Sequence, residues 1–229
     1  MTISGQLLQL FTGKPEHLWN GKPMSAIRKL ATSAELHTGL TGLEGDQQAD
    51  LTVHGGPDKA LHLYPSEHLA GWRGEFPEKA DVFQPGGFGE NLSTTGLTEE
   101  NTCIGDVFSI GTARIQISQG RQPCWKLNMH TGIDAMAPRF QRTAKTGWYF
   151  RVLEEGWIKA GDDINLLERI RPDWPMKRLI EARFNPKLDP RMAAELADLE
   201  VLADNWRAAF LKKCDTGFRE DTNRRLKGS

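Results

Sequence analysis

Through roughly the first three quarters of the chain, short apolar runs alternate with polar positions, and glycine turns separate them. Ala113-Arg114-Ile115-Gln116-Ile117-Ser118 has a clean period of two, the mark of a half-buried strand. The runs from Ile3 to Leu10, Ile104 to Ile110 and Trp148 to Leu153 read as further strands. Ala60-Leu61-His62-Leu63-Tyr64 is another, with Tyr64 either a wet-tipped core residue or a pocket wall. Strands this short and closely spaced predict a barrel or sandwich rather than βαβ units. Two helices interrupt them. One runs from about Ser66 to Phe76, with Leu69, Trp72 and Phe76 at helical spacing; the other lies between Asp134 and Thr143.

Near Arg169 to Pro172 the pattern turns helical. Trp174 to Phe184 carries Met176, Leu179 and Ile180 on one side. Asp189-Pro190 supplies a cap and a first-turn proline ahead of Met192, Leu196 and Leu199. Asp204 is a candidate cap for a third helix holding Trp206, Phe210 and Leu211. The expected fold is mainly β with α: a β-barrel-like domain over 1–170, then a small three-helix domain over 171–229. The helical stripes read as packing surface, and the basic stretch from Asn223 to Ser229 as a frayed tail.

Charge narrows the possible partners. Lys and Arg number 29 against 30 Asp and Glu, a net charge of −1, so no global basic field exists to hold a nucleic-acid polymer. An anionic ligand must be held by locally placed cations. The three cysteines, Cys103, Cys124 and Cys214, form an odd set without zinc or iron–sulfur spacing. The start lacks the features of an export signal and no long apolar span follows, so the expectation is a cytoplasmic protein with free thiols and no membrane contact.

Cys124 follows the clearest strand and sits in Arg121-Gln122-Pro123-Cys124-Trp125-Lys126, between two cations. A thiol placed at a strand end and biased toward thiolate suits a soft-metal ligand or a nucleophile. An inert core cysteine is the competing reading. His54-Gly55-Gly56-Pro57-Asp58-Lys59 offers paired glycines whose N–H groups can cradle an anion. Lys59 adds a compact charge there, and His54 a donor or proton shuttle. An ordinary glycine turn fits the same residues, and neither a P-loop nor a dinucleotide fingerprint is present. Gly42-Leu43-Glu44-Gly45-Asp46 and Phe88-Gly89-Glu90-Asn91-Leu92 are two further candidate loops, or simply a turn and a bulged strand end. Arg151 shares a strand face with Tyr149, as an inward cation or a surface ion pair.

The ordered set Gly-Leu-Glu-Gly-Asp, His-Gly-Gly-Pro-Asp-Lys-Ala, Phe-Gly-Glu-Asn-Leu, Ile-Gly-Asp and Arg-x-Pro-Cys resembles the MOSC domain family over nearly the whole chain. The family includes the C-terminal module of molybdenum-cofactor sulfurases and standalone bacterial proteins associated with resistance to 6-N-hydroxylaminopurine. The resemblance implies a β-barrel-like core, a three-helix appendage and a molybdenum cofactor, a phosphate-bearing pterin ligated through Cys124. It implies reduction of N-hydroxylated compounds, such as hydroxylamino purines, to amines. His54, Asp46 and Glu90 then become candidate proton carriers. Gly55, Gly56, Lys59, Asn91, Arg121, Lys126 and Arg151 become candidate cofactor contacts. Electrons must come from a separate reductase, since no flavin or haem motif is present. A non-catalytic cofactor carrier and a persulfide sulfur carrier on Cys124 are the alternatives. Pyridoxal phosphate has no lysine-aldimine signature here, and association into a homodimer stays open.

Overall fold

The structure is a computed structural model that describes residues 3–228, apart from the side chain of Val53. Met1, Thr2 and Ser229, at the ends of the sequence readings above, lie outside the described residues. Strands β1 (Ser4–Thr12), β2 (Leu30–Thr32), β3 (Leu36–Gly39) and β4 (Gly42–Leu43) come first. Helix α1 (Leu51–His54), β5 (Leu61–Pro65), α2 (Glu67–Glu75) and β6 (Leu92–Thr95) follow. Then come β7 (Val107–Ile110), β8 (Ala113–Gly120), α3 (Lys126–Thr131), α4 (Met136–Thr143), β9 (Trp148–Glu154), β10 (Gly156–Ile158) and β11 (Asp163–Glu168). The remainder is helical: α5 (Met176–Phe184), α6 (Pro190–Ala197), α7 (Asp204–Lys213) and α8 (Asn223–Lys227).

Seven strands close into a mixed barrel in the order β1-β6-β5-β9-β8-β7-β11, with β11 pairing back onto β1. Closure removes the open edges that a flat sheet would leave unpaired. β5 and β6 are the parallel pair, and α2 makes the crossover such a pair needs. The other neighbours in the ring run antiparallel. β2 adds to β1 outside the ring, and β10, β3 and β4 form a separate small sheet.

The barrel core does not stop where the helices begin. Leu7, Leu61, Phe108, Ile115 and Phe150 belong to one apolar cluster with Trp174, Met176, Leu179, Ile180 and Trp206. Gly120 shows how tight that contact is: a Cβ there would lie 2.7 Å from Ile180 Cγ1 and 2.8 Å from the Trp206 ring. A second cluster stacks Tyr64, Trp72, Phe83, Phe88 and Phe140 against Leu127 and Leu226. Tyr64 is therefore core, its hydroxyl accepting from Trp72 Nε1 at 2.6 Å.

Two expectations about the helical part need correction. Asp189 caps α6 as expected, accepting from the N–H groups of Arg191 and Met192. Asp204, however, is the first residue inside α7, and Ala203 occupies the cap position. The tail does not fray over its described length. Residues 223–227 form α8, because Leu226 is buried in the aromatic cluster and the backbone there is pinned to α3 and the loop before it. Asn128 Nδ2 donates to the Leu226 carbonyl at 3.0 Å, and Gly228 takes the left-handed conformation that ends the helix.

Candidate functional site

β8 ends at Gly120, and the next five residues cross the barrel mouth before α3 begins. Arg121 N–H donates to the Gly147 carbonyl at 3.1 Å, which ties the loop to the start of β9. From the other side, Arg225 Nη1 donates to the Pro123 carbonyl at 2.7 Å, and Trp125 N–H donates to the Arg225 carbonyl at 2.7 Å. Cys124 is thus held between barrel and tail. It is half-buried and unbridged, and it lines two adjoining cavities, a narrow one of about 90 Å³ and a wide one of about 1060 Å³.

The narrow cavity is rich in cations. Lys29, Lys59, Arg121 and Lys126 line it with His54, His62, Asn91 and Tyr149. Arg121 is only 8% exposed, and its Nη1 has no hydrogen-bond partner among the described residues. The Nε2 of His62 is likewise buried and unpartnered. Burial, then the positive charges of Lys126, Lys59 and Arg121, pull the His54 imidazole down to about 4. Burial, and next Arg121, hold His62 well below the usual histidine range. Both rings are neutral at pH 7. Burial lowers Lys59 and Lys29 as well, opposed by Asp58 and Asp46 respectively. Burial first, and the positive cluster second, account for the depressed imidazoles.

Asp46 lies at this wall with its carboxylate fully engaged. It accepts from Gly13 N–H at 2.7 Å, from Asn91 Nδ2 at 2.9 Å, from Gln48 Nε2 at 3.3 Å, and from Lys29 Nζ. Asn91 Oδ1 in turn accepts from His62 N–H at 3.1 Å. Asp46 and Asn91 therefore brace the pocket, setting Lys29 and the strand that carries His62. A carboxylate with four donors is poorly placed to relay protons.

Four expected site residues fall elsewhere. Glu90 is fully buried but is not in the cavity lining; its two oxygens accept from Gly86 N–H at 2.6 Å and Phe88 N–H at 3.0 Å, closing their own loop. Arg151 is a positioning cation: its Nε donates to Asp58 at 2.8 Å and its Nη1 to Gln116 at 3.1 Å. That pair anchors the turn between His54 and Lys59 to the barrel wall. Gly55 and Gly56 are absent from the lining of both cavities at Cys124. They make the turn between α1 and the 3₁₀ turn Pro57–Lys59, with Gly56 at φ +96°, and their flanking residues His54 and Lys59 face the cavity. Trp148 is core, whereas Trp125 lines the wide cavity.

Lys29 and His62 are the site residues that sequence patterning missed. Lys29 sits beside a three-residue strand with no motif around it. His62 carried one signal, a polar residue inside β5, where every position is buried.

Among the described residues, no cluster of three His, Cys, Asp or Glu could hold a bare metal ion. One thiol beside a buried guanidinium with an unused N–H instead suits a metal that arrives with its own ligands and an anionic carrier. The residues fit a molybdenum–pterin group.

A model of the MOSC domain matches residues 50–165, and one described as the YiiM-like 3-alpha helix domain matches residues 174–217. The chain belongs to the MOSC domain family. It is 41% identical over 221 residues to protein YiiM of Escherichia coli, covering 96% of this chain and 98% of that one. A protein named reductase in Gibberella moniliformis is 39% identical over 184 residues, 78% of this chain and 33% of its own length. Among solved structures, E. coli YiiM superposes with a TM-score of 0.80 over 99% of this chain and 98% of that one, at 35% identity. YiiM from Geobacillus stearothermophilus gives 0.78 over 92% and 99%, at 30% identity. The barrel and the YiiM-like helical region are thus family features. Among the described residues, no helix is long and apolar enough to cross a membrane.

Proposed function

We propose that this protein is a molybdenum-cofactor-dependent reductase that converts N-hydroxylated compounds, hydroxylamino purines among them, to amines. The observation that carries the reading is one cavity holding the Cys124 thiol beside two buried polar atoms without partners, Arg121 Nη1 and His62 Nε2. A buried guanidinium with an unused N–H is costly unless an anion meets it. MOSC membership and the reductase relative support the redox assignment.

The net reaction is R–NHOH + 2 e⁻ + 2 H⁺ → R–NH₂ + H₂O. The bound cofactor supplies the two-electron couple, which amino-acid side chains lack. In this reading Cys124 holds the metal as thiolate, while Arg121, Lys126, Lys59 and Lys29 neutralise the carrier's anionic groups. Asp46 and Asn91 keep Lys29 and His62 in place. His54, neutral and at the border of both cavities, is the side chain positioned to relay a proton, accepting it from solvent on its unprotonated ring nitrogen and passing it on to substrate. Electrons come from a separate reductase, in the reducing cytoplasm where the three free cysteines persist.

The test is metal analysis and turnover of hydroxylaminopurine, with reduced viologen as donor, on protein from a cofactor-producing host. Cys124→Ser is expected to lose bound molybdenum and turnover together. Full turnover in that variant sinks the ligand assignment. Bound molybdenum without turnover in the parent protein marks a cofactor carrier. A persulfide on Cys124, detected by mass and independent of molybdenum, marks a sulfur carrier.

A further inference from the structure

The wide cavity adds to the lining it shares with the narrow one a buried side chain with an unused acceptor. Gln119 lies on β8, where a bulge shifts the register with β9 between Ile117 and Gln119. Bulges of this kind re-aim a side chain at the rim of a barrel. Gln119 is 1% exposed, and its Oε1 is buried with no hydrogen-bond partner among the described residues. It lines the same 1060 Å³ cavity as Cys124, with Trp125 and its register partner Tyr149. The wide cavity shares Lys59, Lys126 and Tyr149 with the narrow one and adds charges of both signs, among them Arg225 and Asp221; Gln119 and Trp125 line the wide cavity alone.

We infer that Gln119 is a specificity residue that reads the amidine edge of a planar N-hydroxylated heterocycle, an N–H next to a ring nitrogen. This rests on the reductase reading of the same site. A carboxamide offers an acceptor beside a donor, so its complement is a donor beside an acceptor. The same pairing joins glutamine to the amino edge of adenine in nucleic-acid recognition. In an N-hydroxylamino azine, the exocyclic N–H donates to Oε1 and the adjacent ring nitrogen accepts from Nε2. An N-hydroxyaniline keeps the N–H but has no ring nitrogen, so Nε2 is left without its acceptor. Sites built around such pairs discriminate against the analogue that lacks one half.

The experiment compares holoprotein, Gln119→Leu and Gln119→Glu on two substrates and one ligand: hydroxylaminopurine, N-hydroxyaniline, and adenine titrated by calorimetry. Gln119→Glu retains an acceptor and a polar side chain but has no amide donor, so the comparison does not depend on the leucine variant folding. Both variants are expected to lose roughly 5- to 100-fold in kcat/KM for hydroxylaminopurine, chiefly through KM. N-hydroxyaniline should change less than about 3-fold, and adenine should bind correspondingly more weakly. Equal losses on both substrates, or adenine binding that is absent or unchanged across all three proteins, overturns the role of Gln119 while leaving the reductase intact. Adenine binding that weakens as expected in a protein that reduces neither substrate overturns the reductase and retains the recognition site.

Discussion

Asp46→Ala separates bracing from proton transfer. The Lys29–Asp46 pair is buried, with side-chain exposures of 7% and 1%, so the discount that applies to surface pairs does not apply. Removing one partner of a buried pair costs about 3–5 kcal/mol. The loss has a ceiling, because Lys29 can shed its proton. From an unfolded value near 10.4, neutralising a lysine at pH 7 costs about 5 kcal/mol. Gly13 N–H and Asn91 Nδ2 also lose an acceptor, though Asn91 keeps its bond to the Phe11 carbonyl. The expected deficit is about 4 kcal/mol, a large share of the roughly 5–15 kcal/mol of a typical domain. Urea denaturation at several pH values measures it. Burial already lowers Lys29, and without Asp46 its folded value falls further below the unfolded one. Between those two values the unfolded chain binds more protons, so the variant regains stability as pH rises. The deficit should shrink by about 3 kcal/mol between pH 7 and 9.5. Lys29→Met on the Asp46→Ala background should recover about 1–3 kcal/mol at pH 7. A deficit under about 1 kcal/mol, or one indifferent to pH, refutes the claim that Asp46 exists to compensate Lys29.

His54 provides a second check. With a folded value of about 4 against about 6.5 unfolded, the unfolded chain binds more protons between them, so His54 makes the protein lose stability as pH falls through that window. His54→Gln should remove up to about 3 kcal/mol of that acid-side loss, and the imidazole resonance of His54 should titrate near 4 in cofactor-free protein; a midpoint near 6.5 contradicts the account of a buried ring beside cations. Leu226→Ala should cost about 2 kcal/mol and, by loosening the tail from Trp125 and Pro123, raise the rate at which Cys124 reacts with a disulfide reagent. An unchanged thiol rate at the expected destabilisation refutes the coupling.

Much of the barrel was legible because period-two patterning marks strands: Trp148 to Leu153 became β9, and Ala113 to Ser118 became β8, although β8 is buried on both faces at every position but Arg114 rather than half-buried. The parallel β5–β6 pair was not, because pairing is a long-range choice that period-two patterning does not encode. The site was legible where residue type and a strand end coincided, as at Cys124 and Arg121. It was illegible where direction decided. Glu90 and Arg151 carry suitable charges, yet their own loop and Asp58 engage them. Lys29 and Gln119 carry no motif; only the fold brings them to the cavities that Cys124 lines. The tail misled because a basic stretch reads as solvated until Leu226 finds its aromatic neighbours.

Helix α8 reaches back 102 positions in the sequence, from Arg225 to Pro123, to fasten the loop that bears Cys124. On the ribosome the barrel strands emerge well before that fastening can occur. A nascent chain therefore shows its thiol loop unclasped until the final turn of helix clears the exit tunnel. The loop would then take its final shape only once α8, 102 positions behind it, has emerged.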